Sequence, residues 1–201
     1  MTEFADTIAS AATALSAWEI AAVLLLIAYL ILAIQQNILC WPAAIAGSAI
    51  YVVLMYQAGL YMESALQFFY IAMAVYGWFC WQQGQDQGCK LPVTSWPLAF
   101  HILPLAAITV LTMGSGYLLA NYSNAALPYL DSFTTWGAII TTWMVARKVL
   151  QNWHYWFVID SVSVYLYVSR GLLLTALLFC FYLLLIIVGY RAWRLSMSKP
   201  A

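Results

Sequence analysis

The chain has 201 residues, of which 66% are hydrophobic and only 7% are charged, and its mean hydropathy is +0.88. This composition cannot supply the polar surface of a soluble protein, so it indicates an integral membrane protein and excludes a hidden soluble catalytic domain. The formal net charge is zero and no basic run is present, which argues against binding to nucleic acid.

Seven apolar segments follow one another and predict seven membrane-spanning helices, each near the ~20 residues that a bilayer requires. They lie at about 17–35, 40–57, 61–81, 96–120, 131–149, 151–169 and 171–195. The longest break between them is the polar stretch from Gln82 to Ser95. The stretch from Met1 to Ser16 is acidic and alanine-rich, which is atypical of a cleavable signal, so we expect the first span to be retained.

The chain contains a weak copy of part of itself. Residues 41–81 reappear at 153–193 with a constant offset of 112, and 10 of the 41 aligned positions are identical. This skewed composition alone would give roughly four identities. The identical pairs are Trp41/Trp153, Val52/Val164, Leu54/Leu166, Gly59/Gly171, Leu60/Leu172, Leu66/Leu178, Phe69/Phe181, Tyr70/Tyr182, Gly77/Gly189 and Trp81/Trp193.

The repeat predicts the architecture. The fourth helix has no counterpart, so helices 1 to 3 and 5 to 7 form two halves. Because each half has three spans and one extra span separates them, both halves have the same orientation in the membrane, and the repeat is parallel. We therefore expect an all-α, seven-helix membrane protein with the 3+1+3 order of SWEET-type transporters, in a single membrane domain covering residues 1–201. Its parts are a first three-helix repeat at 17–81, a linker helix at 96–120 and a second repeat at 131–195. Duplicated helical halves are typical of transporters, whose substrate site lies near the bilayer midplane.

Basic residues predict the orientation, because lysine and arginine favour the cytoplasmic side of short loops. With the N-terminus outside, six basic residues fall inside and only Arg170 falls outside. The six are Lys90, Arg147, Lys148, Arg191, Arg194 and Lys199. We expect a multi-pass protein of the bacterial inner membrane with a periplasmic N-terminus and a cytoplasmic C-terminus.

Asp160 is the ionisable residue deepest within a predicted span, nine residues after position 151. A carboxylate at that depth costs about 2.5 to 3.5 kcal/mol on insertion scales, so it normally faces a cavity or a partner and marks a ligand or proton path. Helical spacing puts it on one face with Trp153, Trp156, Ser163 and Tyr167. A face that is both aromatic and anionic suits a flat cationic ligand. The alternative is a protonated or hydrogen-bonded Asp160 among aromatics that only pack.

In the first half, Gln67 shares a face with Tyr70 at helical spacing. Gln67 aligns with Phe179, and Asp160 aligns with Ser48, so each half carries one polar residue that the other lacks. Such divergence suits an asymmetric ligand in a pseudo-symmetric site, although Gln67 could equally bridge two helices.

Other conspicuous residues have structural explanations. Trp78, Trp81 and Trp193 stand at predicted helix ends and indicate interfacial anchors. Gly77 and Gly189 indicate close helix packing. The histidines lack metal-ligand spacing, the cysteines form no CxxC, and no nucleophile or nucleotide-binding motif is present, so we expect no metal, no cofactor and no enzymatic activity.

Three segments carry a family resemblance: Val75-Tyr-Gly-Trp-Phe-Cys-Trp81, Gln151-Asn-Trp-His-Tyr-Trp156 and Gly189-Tyr-Arg-Ala-Trp193. They are similar to motifs of the PnuC family of bacterial vitamin transporters, and the resemblance covers residues 17 to 195. It implies a 3+1+3 fold, a homotrimer and facilitated diffusion of an unphosphorylated vitamin that a cytoplasmic kinase then traps. It also implies that Asn152 and Trp78, within these motifs, belong to the substrate site.

The resemblance leaves the vitamin to be chosen among nicotinamide riboside, thiamine and riboflavin branches. In the nicotinamide riboside branch the third helix reads Gln-x6-Asn-x-Tyr-Gly-Trp and the sixth reads Asn-Trp-x2-Trp-x3-Asn. Here Gln67 is retained, but Ala74 and Asp160 replace the two asparagines. A carboxylate in place of amides favours thiamine, with nicotinamide riboside as the alternative. A proton-coupled transporter of a small cationic metabolite, in which Asp160 titrates, is a second alternative.

Overall fold

The computed structural model describes residues 17–57, 61–86, 91–123, 127–169 and 173–198. Seven α-helices account for most of this described part. They are α1 Ala17–Ile34, α2 Cys40–Gln57, α3 Tyr61–Asp86, α4 Ile102–Tyr122, α5 Pro128–Ala146, α6 Asn152–Ser169 and α7 Leu173–Met197, with a 3₁₀ turn at Leu98–His101 before α4. The predicted all-helical fold with seven helices in 3+1+3 order is confirmed.

Three segments among the described residues are long and apolar enough to cross a membrane by length and composition. They are Ala17–Ile34, Leu98–Tyr122 and Ala176–Met197. Cys40–Leu54 is a shorter apolar segment within α2. Most of the predicted site residues lie on two other helices, α3 and α6.

Several helix limits differ from the predictions, by up to six residues where α4 begins at Ile102 rather than near 96. Helix α3 continues to Asp86, five residues beyond the expected limit, and the Trp78 indole N–H donates to the Gln82 side-chain oxygen at 2.7 Å one turn later. Helix α5 begins at Pro128 rather than near 131. Proline suits the first helical position because its missing N–H would have no intrahelical partner there.

Several sequence predictions concern residues outside the described ranges. They include the N-terminal stretch up to Ser16, the glycine pair Gly59 and Gly171, and three of the residues used for orientation, Lys90, Arg170 and Lys199.

The chain divides into two compact units, residues 1–92 and 93–201. In the first unit, α1 packs on α2 and α2 packs on α3. In the second, α4 packs on α5, α5 on α6, and α6 on α7. The helix without a counterpart thus packs with the second half.

A tryptophan ring packed on a glycine joins α2 to α3 in the first unit. Trp41 is 1% exposed, and a Cβ added at Gly77 would lie less than 3 Å from three atoms of its ring. Trp81 completes the cluster edge-on, with its ring centroid 5.3 Å from that of Trp41 and the planes at 80°. Only glycine at position 77 lets the two helices approach this closely.

The same arrangement joins α6 to α7 in the second unit. The Trp153 ring covers Gly189, where an added Cβ would again lie less than 3 Å away, and the Trp193 ring stands edge-on at 5.4 Å and 88°. The predicted packing role of Gly77 and Gly189 is confirmed. The prediction that Trp81 and Trp193 are interfacial anchors is wrong, because they are 3% and 0% exposed.

Two further features recur at the offset of 112. In the first unit, Gly47 on α2 packs against Leu25 on α1. The matched positions in the second unit are Ile159 and Gly137, which also pack together, so the glycine lies on the other helix of the pair. The turns before α2 and α6 each contain a non-glycine residue with positive φ, Gln36 at 55° and Lys148 at 50°.

The start of α6 is fixed by the segment that precedes α4. Thr94 N donates to Lys148 O at 3.0 Å, and Leu150 N donates to Thr94 O at 2.8 Å. The Gln151 side chain accepts from Trp96 N and donates to Trp96 O, both at 3.0 Å. These bonds hold the first turn of α6, and with it the Asn-Trp-x2-Trp motif, in one position.

We predict that Gly189→Ala and Gly77→Ala each destabilise the protein by about 1 to 3 kcal/mol, since the new methyl group overlaps a buried indole. Thermal unfolding of the purified protein in detergent, followed by tryptophan fluorescence, measures the change. Gly114→Ala is the matched control, because a Cβ there meets nothing within 4 Å. Equal stability of all three variants would show that the indole rings move aside at no cost.

Candidate ligand-binding site

Helix α6 has an inward and an outward side. The inward side contains most of the predicted site residues: Asn152, Trp153, Asp160 and Ser163 are buried, and Trp156 and Tyr167 are half-buried. The outward side consists of His154, Phe157, Val158, Ser161 and Tyr165, which are exposed. The structure therefore brings the polar and aromatic residues predicted on α6 together on one protein-facing surface.

Asp160 lies in the middle of this inward side and is 4% exposed. None of the described residues forms a hydrogen bond or an ion pair with its carboxyl group. The expectation that a neighbouring helix satisfies Asp160 thus has no support in the described part of the chain. A buried carboxylate without a partner loses its hydration without compensation, which makes it a candidate for binding a ligand cation.

Polar atoms without partners also occur at the start of α6. Asn152 is fully buried; its amide nitrogen donates to Val149 O at 2.6 Å, while its side-chain oxygen has no partner among the described residues. The Trp153 indole N–H likewise has none. Asn152 and Asp160 are eight residues apart, and a helical rise of about 1.5 Å per residue separates them by about 12 Å.

The predicted role of Trp153 as a ligand contact stays a prediction, but its ring has a packing function. The indole packs against α7, since the ring covers Gly189 and lies at 88° to the Trp193 ring. Trp156, one turn further along and half-buried, is the indole of this motif that the described contacts leave free for stacking.

Tyr167 belongs to an aromatic cluster in the second unit. Its ring centroid lies 5.1 Å from that of Phe179, which in turn lies 5.6 Å from Tyr182. Phe179 is the residue that aligns with Gln67. The position of the polar Gln67 in the first unit is thus occupied in the second by Phe179, which packs against other aromatic rings.

In the first unit, Gln67 and Tyr70 lie half-buried on α3. No described residue hydrogen-bonds to the Gln67 amide, so the described helices do not support the alternative that it bridges two of them. Trp78 is half-buried, and its N–H is occupied by Gln82. Its ring remains available for stacking, whereas its donor does not.

Sequence reasoning missed Trp41 and the depth of Ser48. The Trp41 indole N–H is buried without a described partner, as is that of Trp153. Ser48 and Asp160, which are 112 residues apart, are each 4% exposed. The identity of Trp41 and Trp153 in the repeat was the available signal for the first of these.

Comparison with known proteins identifies the family. The profile of the Nicotinamide mononucleotide transporter family matches residues 16–195. The chain belongs to this family. The resemblance to PnuC proteins is therefore confirmed, and the proteins that the chain resembles are transporters rather than enzymes.

Two relatives show the range of the family. The chain is 27% identical over 134 residues to the riboflavin/roseoflavin transporter RibM of Streptomyces davaonensis, a match covering 65% of this chain and 63% of RibM. It is 22% identical over 166 residues to the nicotinamide riboside transporter PnuC of Escherichia coli K12, covering 70% of each.

A solved structure has the same fold. The crystal structure of the vitamin B3 transporter PnuC matches with a TM-score of 0.72 at 19% identity, covering 90% of this chain and 82% of that one. The membrane transporter fold is thus shared, and the relatives named above are described as transporters of riboflavin, nicotinamide riboside or vitamin B3.

We predict that Asp160→Asn leaves the stability of the ligand-free protein unchanged or raises it, because the substitution removes a buried charge that no described residue compensates. Thermal unfolding without ligand tests this. The exposed Asp131, in the first turn of α5, supplies the control Asp131→Asn. A large loss of stability in Asp160→Asn alone would mean that its carboxylate has a structural partner.

Proposed function

We propose that this protein is a membrane transporter that takes up an unphosphorylated vitamin with a cationic nitrogen heterocycle, and that nicotinamide riboside is its first candidate substrate. The observation that carries the proposal is the buried, unpartnered carboxyl group of Asp160 on a face with Trp156 and Tyr167. A fixed positive charge can neutralise the carboxylate, and aromatic rings attract the same cation.

The relatives support nicotinamide riboside as the substrate, whereas the replacement of two asparagines by Ala74 and Asp160 favours thiamine. One matched relative transports nicotinamide riboside and the matched crystal structure is a vitamin B3 transporter. The unpartnered oxygen of Asn152, on the same helix as Asp160, offers a hydrogen-bonding group of the kind that ribose hydroxyls require.

Thiamine is the second candidate, and a specific observation favours it. Ala74, at a position where the nicotinamide riboside branch has asparagine, is 2% exposed, so a methyl group occupies a buried place that an amide would otherwise fill. Fewer hydrogen-bonding groups suit a ligand with fewer hydroxyls. Riboflavin is neutral and gains little from Asp160.

The side chains at this face disfavour phosphorylated forms of either vitamin. No described basic residue pairs with Asp160, and a carboxylate repels phosphate. Arg191 and Arg194 instead lie exposed in the last turns of α7. Uptake of the unphosphorylated vitamin followed by phosphorylation in the cytoplasm fits this charge distribution.

The remaining parts of the proposal follow the sequence. We propose that residues 17–81 and 131–195 are the two repeats, that 96–120 links them, and that the protein works as a homotrimer in the bacterial inner membrane with its N-terminus outside. The matched contacts of Trp41 with Gly77 and of Trp153 with Gly189 support the repeat.

We predict that the purified protein binds nicotinamide riboside more tightly than nicotinamide mononucleotide, and thiamine more tightly than thiamine pyrophosphate. Asp160→Asn should weaken the cationic vitamin by about 1 to 3 kcal/mol, because a desolvated charge pair is lost. Isothermal titration calorimetry of both pairs, with riboflavin alongside, also ranks the two candidates.

Asp131→Asn is the control for that titration, since its carboxylate is exposed. Equal losses in the two variants would remove Asp160 from the site. Tight binding of riboflavin that Asp160→Asn does not affect would contradict the proposal of a cationic substrate and indicate a flavin instead.

We predict facilitated diffusion rather than proton coupling. A symporter needs a titratable site that exchanges its proton on both sides, usually with a second ionisable partner, and no described residue pairs with Asp160. Liposomes containing the protein should equilibrate the radiolabelled vitamin without a pH or sodium gradient. Accumulation driven by a proton gradient and abolished in Asp160→Asn would establish the symporter instead.

A further inference from the structure

A groove of about 610 Å³ lies between α6 and α7 on the outward side of the second unit. Its polar and charged lining includes His154, Tyr190, Arg191, Arg194 and Ser198, and Phe157 and Ile187 belong to its apolar lining. His154 and Phe157 belong to the exposed side of α6, whereas Asp160 belongs to the inward side. Trp153 lines both the α6/α7 groove and the inward side of α6, but the groove lining does not include Asp160, Trp156 or Tyr167.

The groove is basic at one end. Arg191 and Arg194 are exposed in the last two turns of α7, and neither forms an ion pair with a described residue. His154, in the first turn of α6, packs against Tyr190 with ring centroids 4.8 Å apart and the ring planes at 55°. Two guanidinium groups beside an imidazole and a phenol offer several N–H and O–H donors to a single anion.

The other residues that line the groove are mostly apolar, and beyond the groove exposed apolar side chains continue along α7. Leu184, Ile187 and Val188 are 63%, 43% and 53% exposed, and they precede Arg191 by one to two helical turns. With a rise of about 1.5 Å per residue, the apolar stripe extends about 10 Å from the arginines toward the middle of the helix. A surface with an anion-binding end and an adjoining apolar stripe is complementary to a lipid, whose anionic headgroup is joined to an acyl chain.

The geometry points to a binding site for an anionic phospholipid in the α6/α7 groove. Its phosphate accepts hydrogen bonds from Arg191 and Arg194, and an acyl chain lies along Phe157, Ile187 and Leu184. Basic pockets between membrane helices bind anionic headgroups in this way, because the charge pair forms where water is scarce.

Charge complementarity favours lipid over a second copy of the chain. In copies related by rotation about the membrane normal, each residue lies at the same depth in the membrane. An arginine of one copy could therefore pair only with a carboxylate at the same depth in another. Within the described second unit the exposed carboxylate is Asp131, in the first turn of α5, at the opposite end from the α5–α6 connection and the C-terminal end of α7. Asp131 lies 15 residues before the end of α5 at Ala146, which puts it about 22 Å from that end of the unit, where the arginines lie.

Native mass spectrometry of the full chain in detergent tests the proposal with two lipids of equal chain length, phosphatidylglycerol and phosphatidylcholine. We expect the wild type to retain phosphatidylglycerol preferentially. The double variant Arg191→Gln, Arg194→Gln should need at least about tenfold more phosphatidylglycerol for half occupancy, because two charge-assisted contacts are lost. Arg147→Gln is the matched control, since Arg147 is exposed at the same end of the unit but does not line the groove.

Four results would overturn the lipid site. Equal loss in Arg147→Gln would show a diffuse charge effect, and equal retention of both lipids would show that the headgroup is not read. Displacement of the lipid by inorganic phosphate would assign the arginines to a free anion. Dissociation of an oligomer in the double variant with unchanged lipid retention would make the groove an interface between copies.

Discussion

The packing of an indole ring directly on a glycine backbone is the constraint on which each unit depends. Trp41 packs on Gly77 and Trp153 packs on Gly189 so closely that a Cβ at either glycine would overlap the ring, and a second tryptophan completes each cluster edge-on. In lipid there is little hydrophobic gain from helix association, so this close contact area supplies much of the attraction. The contact also fixes the rotation of α6, and the inward placement of Asp160 and Trp156 follows from that rotation.

The two units share this framework but differ in the polar residues mounted on it. Ser48 and Asp160 are equally buried at matched positions, and Gln67 in the first unit is replaced by a packed phenylalanine in the second. Conserving the contacts while changing the polar residues lets a duplicated scaffold bind a molecule that has no symmetry of its own. In the function that we propose, the carboxyl group of Asp160 offers a negative charge that the positive charge of the ligand neutralises.

Much of the fold could be predicted because periodicity and composition are local properties. The seven helices lie within a few residues of the limits that the apolar segments predict, and the offset of 112 pairs the residues that make the equivalent contacts. The interfacial role predicted for Trp81 and Trp193 is wrong because a tryptophan near a helix end has the same sequence context whether it meets lipid or covers a glycine on a neighbouring helix. The choice of vitamin could not be read from Ala74 and Asp160, since two substitutions define which groups are present but not how a ligand is oriented among them.

Growth complementation tests the central claim, that this chain carries a cationic vitamin past Asp160, most directly. The chain is expressed in one bacterial strain that depends on external nicotinamide riboside and in another that depends on external thiamine, each without its own transporter. We expect growth of at least one strain to be restored at low vitamin concentration. The Asp160→Asn variant should require at least about tenfold more vitamin, the equivalent of ~1.4 kcal/mol, while Asp131→Asn should match the wild type. Absence of rescue in both strains, with the protein present in the membrane, would contradict transport of a cationic vitamin by this chain.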